Sequence, residues 1–263
     1  MTAILLIGAG TLSRRSVQAS NEGNTGKKLS VAATSFAPFQ DPGQPVVGPG
    51  IPQVGSNGAR SGLSSSKAGS VLFFSKYTSD LSRPGTTNTV ISITNTNPRD
   101  SVTVELFFVS NCTVESIIYN FAANQTRTFL ASVESPNKTG YMMATAINSQ
   151  GLPQQFNWLI GNASITDNNG FDGSYNAISV SKRTGGPVST GDGASIAEMK
   201  FNDTDYDRLP QQIAVDSIGS SSASSTDLTV YSPISDLSGG AQTIKFTAIA
   251  YSQSGRPYPQ IIE

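Results

Sequence analysis

The chain has 263 residues, 37% of them hydrophobic and only 13% charged, with a net charge of −1 and a pI near 5.5. So even a balance offers no basic surface for phosphates or anionic lipid, and nucleic acid is not an expected partner. Histidine is absent, which removes the commonest general base and metal ligand, and the single cysteine, Cys112, can form neither an intrachain disulfide nor a thiolate zinc site.

Taken in order, Ala3 to Gly10 is an apolar run too short to span a bilayer and of the length of a signal-peptide core, with Val17-Gln18-Ala19 as a small-residue cleavage pattern. Residues 1–19 are expected to be a secretory signal; the other reading is an N-terminal strand. Residues 20–68 form a Pro/Gly/Ser-rich arm, with eleven Pro or Gly between Pro38 and Gly62, too poor in apolar area to offset its own ordering entropy. Within it Leu29, Val31, Ala33 and Phe36 mark a segment able to act as a donor strand if a partner offers a sheet edge; the alternative is a disordered tether.

Residues 69–166 read as a β-sandwich module. Strands are expected at Val71 to Phe74, Thr89 to Thr94, Val102 to Val109, Ile117 to Tyr119, Thr126 to Val133, Tyr141 to Ile147 and Phe156 to Ile160. Turn clusters lie at Asn95 to Asp100, Asn124-Gln125 and Pro136-Asn137. In the clearest strand Val102, Val104, Leu106 and Phe108 share one face by the period of two and are expected core. Cys112 is expected as a small buried hydrophobe beside that strand.

This order of a strand, an Asn-rich turn, a long apolar strand and Asn124-Gln125-Thr126-Arg127-Thr128 leading into another strand resembles immunoglobulin-like modules of secreted bacterial surface proteins. The resemblance implies secretion and a non-catalytic adhesive or structural role. It supplies no functional residues, and the chain lacks the cysteine pair of antibody-type domains.

Residues 167–263 read as a second, smaller β-sandwich module, with strands at Ala177 to Val180, Ile196 to Phe201, Gln212 to Val215, Leu228 to Tyr231 and Thr243 to Tyr251. A short internal repeat links the two modules. Thr145-Ala146-Ile147, Ser149-Gln150-Gly151 and Pro153 return as Thr247-Ala248-Ile249, Ser252-Gln253, Gly255 and Pro257. In the first copy the turn leads into Phe156 to Ile160, whereas the second is followed only by Tyr258 to Glu263. The second module is therefore expected to lack its last full strand and to present an open edge at Ile244, Phe246, Ala248, Ile261 and Ile262. The fold class is thus all-β, with two antiparallel immunoglobulin-like sandwiches after a low-complexity arm.

Candidate chemistry is sparse. Asp203, Asp205 and Asp207 alternate as in the start of a calcium loop, but Arg208 and Ala214 stand where an EF-hand needs Gly and Glu. Calcium in a looser sandwich-loop site is the one cofactor this pattern admits, and Asp167, Asn169 and Asp172 form a weaker oxygen-rich set. No Gly-x-Ser-x-Gly elbow, Walker loop or dinucleotide fingerprint occurs, and Glu105, Glu115, Glu134 and Glu198 give no distinguishable catalytic pair. The N-x-S/T sequons at Asn111, Asn124, Asn137, Asn162 and Asn202 are no more than chance provides. Trp158 and Phe156 share the parity of Ile160 and are expected to face the core.

The chain is accordingly expected not to be an enzyme. The leading expectation is a secreted structural subunit of a bacterial surface or extracellular filament, binding copies of itself or other surface proteins by strand exchange, with no membrane span. The alternative is a monomeric glycan- or protein-binding adhesion module on a stalk, with Tyr175, Tyr206, Tyr231 and Tyr258 as contact aromatics.

Overall fold

The computed structural model describes residues 3–6, 10–15, 28–33, 63, 65–111, 113–168, 171–185, 189–190, 197–209, 228–231, 248–251 and 257–262. Its strands are β1 (Ala3–Leu6), β2 (Gly10–Arg15), β3 (Lys28–Ala33), β4 (Val71–Thr78), β5 (Asn88–Asn95), β6 (Val102–Ser110), β7 (Thr113–Phe121), β8 (Thr126–Leu130), β9 (Thr139–Ile147), β10 (Leu159–Asp167), β11 (Phe171–Asn176), β12 (Ile178–Val180), β13 (Ser189–Thr190), β14 (Ala197–Lys200), β15 (Leu228–Tyr231), β16 (Ala248–Tyr251) and β17 (Pro257–Ile262). A single helical turn, α1 (Ala131–Glu134), follows β8. The all-β class read from the sequence is what forms.

Two antiparallel sheets face each other. One is ordered β12-β4-β9-β6-β7 and the other β11-β10-β5-β8. Between them lie Leu72 and Phe74 of β4, Val102, Val104, Leu106 and Phe108 of β6, Met142, Ala144 and Ala146 of β9, Ile91 and Ile93 of β5, and Leu159 and Ala163 of β10. The four core residues expected in β6 are all within this cluster. A register shift between Phe74 and Tyr77 turns Tyr77 back into the same core, edge-on to Phe108 with ring centroids 5.3 Å apart.

The two sheets differ on their outer faces, and the sequence says why. β5 and β10 alternate: Ile91, Ile93, Ala163 and Ile165 are buried, whereas Ser92, Thr94, Asn162 and Ser164 point outward. In β4, β6 and β9 both parities are largely apolar and buried, because the outer face is covered too, with Glu105 and Thr145 as its buried polar members. Val71, Phe73, Phe107, Val109, Tyr141 and Met143 pack there against Met199, Phe201, Tyr206 and Leu209. Strands buried on both faces carry continuous apolar runs, as Val71-Leu72-Phe73-Phe74 does.

Sheet pairing runs on past residue 166, where the first module was expected to end: β11 pairs with β10, and β12 pairs with β4. The turns fall where Asn and Gly punctuate the sequence. Asn111, Asn124 and Asn137 adopt φ of 48°, 55° and 58°, the left-handed region that Asn tolerates best among side-chain-bearing residues. Asn95, fully buried, donates through Nδ2 to the carbonyls of Asp100 and Ala122 and accepts from the Asn97 N–H, which closes the Asn-rich turn.

In the second half the internal repeat diverges. After β9 the chain leaves for the opposite sheet, where β10 pairs with β5. After β16 it returns directly, and β17 pairs antiparallel with β16, Ala248 opposite Ile262 and Ile249 opposite Ile261. β17 spans six residues. Ile244 and Phe246 lie outside the described residues.

Candidate functional site

Two surfaces of the sandwich differ from the rest in what they leave exposed. The first is the outer edge of β7. In the two-residue hairpin joining β6 to β7, Ser110 faces Thr113, and the register continues to Val102 opposite Phe121. Antiparallel pairing alternates, so Thr113, Glu115, Ile117, Tyr119 and Phe121 bond to β6, and Val114, Ser116, Ile118 and Asn120 turn their N–H and C=O groups outward. Of these only the Asn120 carbonyl has a partner among the described residues, the Arg127 guanidinium at 3.1 Å. Ile118 is half exposed beside this row. At its two ends the edge is flanked by charge: Lys138 pairs with Glu115, and Arg127 lies over Tyr119.

The second surface is the outer face of the β11-β10-β5-β8 sheet. Across it run rows of small polar side chains set by register: Asn176, Asn162, Ser92 and Thr128 in one, Thr94 and Thr126 beside Ile160 in the next. Hydroxyls pair within the rows, Ser92 with Thr128 at 3.1 Å and Thr94 with Thr126 at 2.7 Å. At one corner the chain passes through Ala177 from β11 in this sheet to β12 in the other. A cavity of about 410 Å³ opens there, walled by Ser65, Ser66 and Lys67 and by Asn162 and Asn176.

Trp158 corrects the sequence reading. It was expected in the core on the parity of Ile160, but β10 begins at Leu159, and it is Leu159, Ala163 and Ile165 that point inward. Trp158 and Ile160 are consequently 47% and 41% exposed. Strand parity alone leaves the inward face undecided; the small residues Gly161 and Ala163 on Leu159's parity were the available signal. Phe156 is partly buried against the inter-sheet core.

The acidic turn is organised around a cation of the chain itself. Arg183 reaches Asp203 through Nη2 at 2.7 Å and Asp207 through Nε at 3.0 Å, while its N–H donates to the Asp205 carbonyl. Asp207, buried, also accepts from the Ser181 N–H. Among the described residues no three His, Cys, Asp or Glu side chains gather into a metal-binding group. Asp167 and Asp172 sit on the β10–β11 hairpin opposite Phe171 and Thr166, and Asn169 lies outside the described residues.

Of the four tyrosines expected as contact aromatics, Tyr206 is buried against Phe201 and beneath the Lys182 ammonium, 5.2 Å from its ring centre. Tyr175 is mostly buried, its hydroxyl donating to the Lys76 carbonyl, and burial pushes its pKa up to about 12. Neither is a platform. Tyr231 and Tyr258 lie in β15 and β17, of which only the backbone is described. Glu105 is fully buried in β6, Glu115 serves Lys138 and Ser135, and Glu134 accepts from the Tyr119 hydroxyl.

The donor-strand candidate is largely in strand form. β3 pairs antiparallel with β2, Leu29 opposite Arg14, Val31 opposite Leu12 and Ala33 opposite Gly10, and β2 pairs in turn with β14. β3 is the edge of that sheet. Phe36 and Cys112 lie outside the described residues, as does most of the Pro/Gly-rich arm. No helix among the described residues is long and apolar enough to cross a membrane.

No family model and no curated protein matches the chain. Among solved structures it is similar to one described as the crystal structure of Thermotoga maritima 1070, at 12% identity over 42% of this chain and 92% of that one, with a TM-score of 0.32. A likeness of that size carries no argument about fold or function.

Proposed function

We propose that the chain is a non-catalytic, secreted structural subunit of a bacterial surface or extracellular filament, built by strand exchange between copies. The supporting observation is the β7 edge: nine residues long, its outward N–H and C=O groups unpartnered except at the Asn120 carbonyl among the described residues. An edge of that length is a template for another strand unless something covers it. β3 supplies the complement. It lies at the edge of its own sheet and alternates Leu29, Val31 and Ala33, and laid along β7 it would shield Ile118 while satisfying the open ladder. Strand and edge are different surfaces of one chain, so the contact is heterologous and propagates into an open polymer wherever its rotation does not close a ring.

Two changes test this. Deleting residues 20–36 removes the donor, and Ser116→Pro removes one outward N–H from the acceptor without touching a bond to β6. Both variants are expected to stay folded and to scatter light as discrete particles, where the parent chain forms fibres by negative-stain microscopy. Fibres from either variant would sink the proposal.

A further inference from the structure

We infer that the corner cavity on the outer face of the β11-β10-β5-β8 sheet is a binding site for a saccharide unit of a polysaccharide. Its walls present the amides of Asn162 and Asn176, which face each other across β10 and β11, together with the hydroxyls of Ser65, Ser66, Ser92 and Thr94. Neither amide has a side-chain partner among the described residues, so each offers two donors and an acceptor to a ligand. The Ser and Thr hydroxyls both donate and accept, the mixture that a polyhydroxylated ring demands.

The floor is apolar, formed by Leu72, Gly161 and Ala177 with Ile160 at the rim, and it suits the C–H face of a pyranose. Gly161 leaves no room for a side chain on its inward side, where a Cβ would lie 2.5 Å from Phe74 Cζ and 3.2 Å from Leu72 Cδ1. The size, about 410 Å³, falls within the range of small-ligand pockets. Two residues along the chain from Ile160 the indole of Trp158 is half exposed, on backbone fixed by the Thr96 N–H and hydroxyl, both bound to its carbonyl at 2.8 Å. An exposed aromatic on rigid backbone, on the same strand parity as the rim residue Ile160, is the kind of side chain that stacks on sugar rings. No carboxylate lines the cavity and one ammonium, that of Lys67, does, so a uronic acid would be tolerated as well as a neutral sugar.

Trp158 is the only tryptophan of the chain, which makes its emission a reporter of this face. The test runs the full chain through native gels containing laminarin, a neutral glucan, or alginate, a polyuronate, and titrates the same polymers against Trp158 fluorescence. Retardation by at least one of them is expected, together with a change in emission. The double variant Asn162→Ala/Asn176→Ala, with an unchanged circular dichroism spectrum, is expected to bind at least tenfold more weakly. Unhindered migration in both gels, or equal retardation of parent and double variant, would overturn the assignment. Retardation in alginate alone would identify Lys67 as part of the contact, and Lys67→Ala should then abolish it.

Discussion

Arg127 covers the ring of Tyr119, its guanidinium carbon 4.5 Å from the ring centre, at the edge where β7 of one sheet meets β8 of the other. Below it Tyr119 lies 4.7 Å from Phe129, centre to centre, and its hydroxyl donates to Glu134 Oε1 at 2.8 Å. The arrangement closes one long side of the sandwich with a half-exposed cation in place of a third layer. Arg127→Ala removes the cation–π contact and the packing of its stem, and should lower stability by about 1 kcal/mol. Urea unfolding is expected to show a lower midpoint with an unchanged slope.

Gly140 stands where β9 passes β6, and a Cβ there would lie 1.8 Å from the Val109 carbonyl oxygen. Both are backbone positions in the central strands, so neither can yield cheaply. Gly140→Ala should cost at least about 3 kcal/mol, the upper range of overpacking. Gly85→Ala is the control, because nothing lies within 4 Å of its Cβ, and its midpoint should not move.

Arg183 clips the segment that covers the outer face of the five-stranded sheet. Its loss leaves Asp207, only 3% exposed, without its cation. Since the Arg183 side chain is itself 42% exposed, solvent screening limits the cost to about 1–2 kcal/mol. Hydrogen exchange should accelerate over residues 199–209 in Arg183→Ala and stay unchanged in β5 and β10. Uniform acceleration would instead indicate global destabilisation.

Tyr175 and Tyr206 make the fold sensitive to alkali. Burial raises both hydroxyls, Tyr175 to about 12 and Tyr206 further, with Asp205 adding to the latter. The unfolded chain releases these protons near pH 10, so between there and about pH 12 the folded state holds more protons and stability falls as pH rises. Tyr175 alone accounts for roughly 2–3 kcal/mol across that window. Tyr175→Phe should flatten the fall, measured as urea midpoint against pH from 9 to 12.

The two sheets of the sandwich were legible in the sequence because alternation and Asn turns are local signals. Ile91 and Ile93 in β5 and the inward set of β6 follow from period alone, and Asn124 and Asn137 announce their own left-handed turns. What lay beyond reach depended on distant partners. Nothing near Val71-Leu72-Phe73-Phe74 indicates that Phe73 meets Phe201, with ring centres 6.3 Å apart, nor that the Asp203 turn pairs with Arg183. Trp158 was misplaced because parity does not say which of a strand's two faces is inward, and taking the wrong one inverts every side chain of the strand. The cavity is similarly nonlocal, since its walls come from residues 65–67, 92–94, 160–162 and 176–177.

The covered outer face of the five-stranded sheet also sets how short the chain can be cut. Stopping at residue 166 would strip away β11, β12 and the apolar cover, baring Val71, Phe73, Phe107 and Met143 to water at once. Such a stump would be sticky, and fibres grown from it would report nothing about strand exchange. A piece that keeps the described cover of this face must run at least through Leu209.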